Sequence, residues 1–135
     1  MDNYHRNVKS IKIIKDGDTF TCTVDLGYGI SIEETYRFAG INAYETTRRG
    51  SWKTGLTEDE IIAHLDRGKK ARERVRELLR EYAVAVWVVS SKPDKFERGK
   101  YGRYLGTIWI KDGGGQSVNV NKLLVDEGLA YYKEY

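Results

Sequence analysis

Three short stretches, far apart in the chain, set charged or amide side chains beside glycine-bearing backbone. They are Asp16-Gly17-Asp18-Thr19, the run from Arg37 to Asn42-Ala43-Tyr44-Glu45, and Lys100-Tyr101-Gly102-Arg103. Brought together they supply carboxylates, an amide oxygen and two guanidinium groups. Hard divalent cations take oxygen ligands, a carboxylate can orient or deprotonate water, and a guanidinium fork holds two phosphate oxygens at once. Such an inventory suits cation-assisted attack on a phosphodiester. Taken singly, each stretch has an ordinary reading. Asp-Gly-Asp is a turn in which glycine tolerates positive φ and Asp16 caps the backbone, leaving Asp18 as the better ligand. Arg37 is an exposed strand residue or half of a rim ion pair. Asn42 marks an Asx turn, and Arg103 is a solvated hairpin cation.

The elements that must position these groups are read from periodicity. Residues 8–15 and 19–24 alternate as two strands around the Asp16-Gly17-Asp18 corner. Gly27-Tyr28-Gly29 turns the chain into a third strand, Ile30–Phe38, rich in β-branched and aromatic residues. Residues 46–55 carry no apolar period and are expected to form a loop. A capping box from Thr57 to Glu60, ahead of Ile61, Ile62 and Leu65, predicts a short helix. A second helix is expected over residues 67–82, with Ala71, Val75, Leu78, Leu79 and Tyr82 on its buried face. Residues 83–89 form a continuous apolar run, the pattern of a strand covered on both faces. A further strand is expected over 102–110, another over 116–120, and a last short helix over 121–127 with Gly128 at its C′ position. Periodicity alone gives an α+β domain with an antiparallel sheet. The order of five main strands with a helix between the third and fourth is that of an OB-fold, a mainly β barrel with two to three helices.

Composition narrows the classes. The chain has 135 residues, enough for one domain with its own core, so residues 1–135 are read as a single domain. Its lone cysteine, Cys22, forbids an internal disulfide. No run of about 18 apolar residues is present, so no membrane role is expected. The first residues lack a signal-peptide profile, which favours the cytoplasm, or secretion if a leader was removed. Net charge is only +3, but it is concentrated: Arg67, Lys69, Lys70, Arg72, Arg74, Arg76 and Arg80 crowd the second helix, and Arg48, Arg49 and Lys53 flank the Glu45 segment. Local excess of this kind attracts polyanions, although a solvated helix face looks the same in sequence. His5 and His64 suggest no zinc or histidine-based centre, and His64 reads as a surface helix residue.

Jointly, the residues and spacings resemble the staphylococcal nuclease (thermonuclease) family. The Asp-Gly-Asp-Thr turn, an Arg five residues before a metal-side position and eight before a Glu, and a later Tyr-Gly-Arg are matched by Asp18, Arg37, Asn42, Glu45 and Arg103. Gly40-Ile41-Asn42-Ala43-Tyr44-Glu45 stands where the family usually has Gly-Ile-Asp-Ala-Pro-Glu. Val120-Asn121 and Gly128-Leu129-Ala130 match its ending, so the resemblance spans residues 8–132. It implies a five-stranded OB barrel and Ca²⁺-dependent cleavage of DNA and RNA on the 5′ side of the phosphodiester. Asp18, the Asn42 side chain and the Ala43 backbone carbonyl would hold the ion, Glu45 would serve the water, and Arg37 and Arg103 would grip the phosphate. Lys100, Tyr101, Tyr131 and Tyr132 are expected to contact substrate; tyrosines on an OB face can stack unpaired bases, so single-stranded or frayed nucleic acid is expected to be preferred, with the protein a monomer. Two departures matter. Neutral Asn42 should weaken calcium, because affinity follows ligand charge. Tyr44 in place of proline should relax the backbone before Glu45. The competing expectation is an inactive OB domain that only binds nucleic acid or a protein partner.

Overall fold

The computed structural model describes residues 3–91 and 104–133. Strands β1 (Asn3–Asp16), β2 (Thr19–Gly27) and β3 (Ile30–Phe38) form an antiparallel meander. Phe20, Cys22 and Val24 face inward from β2 with threonines between them. Across that ladder the Thr21 and Thr35 hydroxyls meet at 2.7 Å. The first strand starts earlier than its apolar alternation does. Its leading residues are polar and earn no burial signal, but Asn3 to Asn7 pair in register with Ser91 to Trp87 of β5 (Ala85–Ser91). Strand β6 (Tyr104–Lys111) pairs antiparallel with β5 and parallel with the end of β3, through Tyr36↔Tyr104, Arg37↔Leu105 and Phe38↔Gly106. That last pairing closes β1-β2-β3-β6-β5 into a five-stranded barrel, and β7 (Ser117–Asn119) extends the sheet from β6. The expected OB-type α+β architecture is present.

The helical region is one element rather than two. Helix α1 (Glu58–Arg76) runs through the point at which two helices were expected to meet, and continues as a π-helical turn over Glu77–Tyr82. The Thr57–Glu60 capping box forms in both directions, at 3.0 and 3.2 Å. Ile61, Gly68, Ala71, Val75, Leu78 and Leu79 make up the buried stripe. Tyr82 was expected on that stripe but is 54% exposed. A π turn holds an extra residue, with Ala83 N–H bonding the Leu78 carbonyl at 3.1 Å, and so rotates Tyr82 out of line. The strand expected to be covered on both faces also differs: β5 buries Val88, whereas Val84 just before it is 69% exposed. On the barrel exterior Trp87 stacks between His5 and Trp109, with ring centroids at 5.9 and 6.3 Å.

Inside the barrel, Phe20, Phe38, Ile108, Ile110, Val24 and Val88 pack with Val75 from α1 and with Leu124 and Val120 from α2 (Val120–Asp126). Burying each such large side chain is worth about 1.5–3 kcal/mol. Asn121 is the polar exception. Its side chain is buried, accepts the Ile108 N–H at 3.0 Å and donates to the carbonyls of Ala39 at 2.9 Å and Gly106 at 3.2 Å. These bonds fasten α2 to β6 and to the exit of β3, and they account physically for the Val-Asn pair. The segment leaving β3 forms β4 (Ile41–Ala43), which pairs with β8 (Ala130–Tyr132) in a separate two-stranded ladder. Neither three-residue strand was expected, because so short a segment carries no period to read.

Candidate active site

Four elements converge at one end of the barrel: the β1–β2 turn, the end of β3, β4 with the residues after it, and the face of α1. The turn is held by Asp16, whose carboxylate accepts the Asp18 N–H at 3.2 Å, as an Asx turn requires. Gly17 is there for space and not for positive φ, which its backbone does not adopt. A Cβ on Gly17 would lie 2.5 Å from the Ala71 Cβ and 2.9 Å from the Ala43 Cβ, so the turn can lie flat against α1 and β4 only as glycine.

Asp18 is 9% exposed and fully engaged. Its Oδ2 accepts the Ala43 N–H at 2.8 Å and lies 2.7 Å from Arg37 Nη1, while its Oδ1 accepts the Thr19 hydroxyl at 3.1 Å. Arg37, read singly as an exposed strand residue or half of a rim ion pair, is paired with Asp18 and only 8% exposed. The parallel pairing with β6 and the Phe38 N–H to Asp18 carbonyl bond of 2.8 Å hold its backbone, and its Nη2 donates to the Asn42 side-chain oxygen. A buried guanidinium is tolerated because carboxylate and amide oxygens surround it. Thus Asp18, Arg37, Asn42 and Ala43 form one connected group.

Asp16, Asp18, Arg37, Asn42, Ala43, Tyr44 and Glu45 line a pocket of about 370 Å³. Its electrostatics are those of crowded acids. Burial pushes the Asp16 carboxyl well above the usual carboxylate range, Asp18 adds to that, and Arg37 opposes it. Glu45 sits exposed at the pocket edge, and its carboxyl is also raised, first by desolvation and then by Asp18, against Arg37. Among the described residues no three His, Cys, Asp or Glu side chains close on one point. The available donors are carboxylate and amide oxygens, which suits a hard cation and not zinc.

The backbone of Glu45 is held by two residues with no signal in the motifs. The Glu45 N–H donates to Nε2 of His64 at 2.7 Å, so His64 belongs to the site rather than to a bare surface. One turn further along α1, Gly68 lies against the same segment: a Cβ there would be 2.1 Å from the Glu45 carbonyl oxygen and 2.7 Å from that of Tyr44. Gly68→Ala should therefore push the Glu45 segment off the helix. Turnover of the activity proposed below should fall by about 10²-fold, the scale of an ångström of misplacement. Overpacking would cost about 1–3 kcal/mol, partly offset by better helix propensity. Thermal unfolding and turnover of Gly68→Ala are the check; an unchanged turnover would show that this close packing does not set the position of Glu45.

Tyr44 has side-chain contacts on three sides. Its ring meets His64 edge-on at 5.1 Å and Tyr131 at 5.3 Å, and the Arg67 guanidinium lies over it at 5.4 Å. The β4–β8 ladder places Tyr131 opposite Asn42 and Tyr132 opposite Ile41; Tyr131 reaches the pocket-lining Tyr44 ring, and the two tyrosines are 41% and 66% exposed. The basic run on α1 is divided. Arg74 is tied to Glu77 and Glu127, Arg80 to the carbonyls of Ile11 and Lys12, and Arg67 to Tyr44, whereas Lys69, Lys70 and Arg76 are exposed. The predicted Lys100, Tyr101 and Arg103 lie outside the described residues, and so does the start of the strand expected over 102–110.

No curated protein matches the chain. The family model described as Staphylococcal nuclease homologue matches residues 35–135. That span contains Arg37, Asn42, Glu45 and the Val120-Asn121 pair but begins after the Asp16–Thr19 turn, which the fold carries to Arg37 through the β2–β3 ladder. With the match covering well over half of its length and the five-stranded barrel bringing both parts of the motif to one pocket, the chain belongs to the staphylococcal nuclease family.

Proposed function

We propose that this protein is a calcium-assisted, sugar-nonspecific endonuclease that hydrolyses phosphodiester bonds of DNA and RNA at the Asp18–Arg37–Asn42–Glu45 pocket. The observation that carries this reading is the joining of those residues at one open end of the barrel in a chain of a nuclease family. The donor chemistry fits calcium: Asp18 and Asn42 offer side-chain oxygens. Ala43 already directs its N–H to Asp18, and in extended backbone a residue's carbonyl shares the edge of its N–H. Bound there, the ion would supply Lewis-acid polarisation of a phosphoryl oxygen. Glu45 orients and deprotonates the attacking water. Its raised proton affinity suits a base, provided the pH stays above its pKa. Arg37 neutralises the acidic wall and presents a planar fork to phosphate oxygens, and Arg103 is assigned the matching grip from the Lys100–Arg103 turn.

Asn42→Asp should lower the calcium concentration giving half-maximal cleavage, since it returns an anionic oxygen to the site. A calcium titration of both proteins decides this; an unchanged or higher requirement would remove Asn42 from the ligand set.

Substrate choice follows from what the surface offers. Exposed Lys69, Lys70 and Arg76 attract backbone phosphates, and Tyr131 and Tyr132 present faces on which unpaired bases stack. Among the described residues no element is shaped to enter a groove and read base edges. Matched single-stranded DNA, duplex DNA and RNA, digested at two salt concentrations with cut sites mapped, should all be cleaved with little sequence preference, single strands fastest and all more slowly in high salt. A short recognition sequence would contradict the reading. Binding without cleavage of any of the three would favour the inactive OB domain.

A further inference from the structure

We propose that His64 is the positioning residue of this site, a fixed hydrogen-bond acceptor that holds the backbone of Glu45 in register with the pocket. The inference rests on the assignment of Glu45 as the base and adds a residue on a different element.

The need for such a device is visible in the chain path. Strand β4 ends at Ala43, so Glu45 has left the ladder with β8, and among the described residues no strand partner fixes its amide. His64 supplies the missing acceptor at 2.7 Å. Its ring is itself held on two sides. Trp52, from the short helical turn Ser51–Lys53, stacks on it at 4.1 Å with planes 18° apart, and Tyr44 meets it edge-on at 5.1 Å. Gly68, one turn along on the same face of α1, provides the bare backbone on which the Tyr44 and Glu45 carbonyls rest. Helix and loop are thus joined by one directed bond and one close packing contact. An imidazole nitrogen accepts only when neutral with its proton on the other nitrogen. Burial, then the Arg67 charge, both favour that neutral form. A side chain restrained in this way removes freedom from the base before substrate arrives, which is how a supporting residue contributes to rate without touching the reacting atoms.

Two substitutions separate this role from simple packing. His64→Phe keeps a ring for Trp52 and Tyr44 but has no acceptor. His64→Gln sacrifices the ring and restores an acceptor close to the place of Nε2. If the hydrogen bond is what matters, His64→Phe should lower kcat by about 10–100-fold with KM within about twofold, and His64→Gln should recover most of the loss. The second readout needs no catalysis. Amide hydrogen exchange of Glu45, followed by NMR, should be slow in the wild type and in His64→Gln, and about tenfold or more faster in His64→Phe. Equal exchange in wild type and His64→Phe, or a Phe variant that cleaves normally, would overturn the proposal; so would a Gln variant as impaired as Phe, since the rings would then be the cause. A wild-type protein that cuts no nucleic acid overturns the nuclease reading and the kinetic role with it, while the exchange experiment still decides whether His64 holds the Glu45 amide.

Discussion

Replacing Glu45 by Gln is expected to lower turnover by roughly 10²–10⁴, the range a positioned acid or base contributes, with substrate affinity nearly unchanged. The substitution keeps size, the backbone N–H to His64 and the contact with Gly68, and removes only the ability to take a proton. It also removes one acid from a pocket in which Asp18 and Asp16 already crowd one another, so the fold should be no less stable. Rapid-quench cleavage of a labelled oligonucleotide, with binding measured separately on the inactive complex, provides both numbers. A Gln variant with near-normal kcat would take Glu45 out of the mechanism. A variant that loses binding in proportion to turnover would assign Glu45 to holding substrate and not to chemistry.

The spacing of Arg37, Asn42 and Glu45 and the turn at Asp18 were legible because each uses a residue type whose chemistry is restricted. Their convergence was not: it depends on the parallel β3–β6 pairing and the β4–β8 ladder, contacts between residues far apart in sequence. Strands with apolar alternation could be read, and so could the capping box of α1. The polar beginning of β1 could not, because it has no apolar alternation and its pairing with β5 is a contact with a distant part of the chain. Gly68 shows how local reasoning misleads. Glycine in a helical stretch signals weakness, and residue 68 falls unmarked inside the second expected helix, yet its value lies in the absent Cβ that admits Glu45. His64 had no partner within its own helix to announce it; the Glu45 amide and Trp52 reach it across a loop. The proline-to-tyrosine departure at residue 44 reads as loosening, because backbone restraint is visible in sequence and side-chain anchoring by Tyr131, His64 and Arg67 is not.

The proposed requirement for calcium carries the largest expected effect of all. The oxygens of Asp18 and Asn42 face the Arg37 guanidinium, which neutralises part of the acidic wall. An ion held by those oxygens would share that neutralisation and would free the guanidinium for a phosphate. Removal should therefore disable the pocket twice, through the lost Lewis acid and through the recaptured arginine. Single-stranded DNA incubated with the wild-type protein should be degraded in millimolar-range calcium, as expected for a site with a neutral ligand, should survive intact when excess chelator is added, and should be degraded again once calcium is restored. Cleavage that continues undiminished in chelator, with the Glu45→Gln protein run beside it to exclude a contaminating nuclease, would contradict a calcium-assisted mechanism at this site.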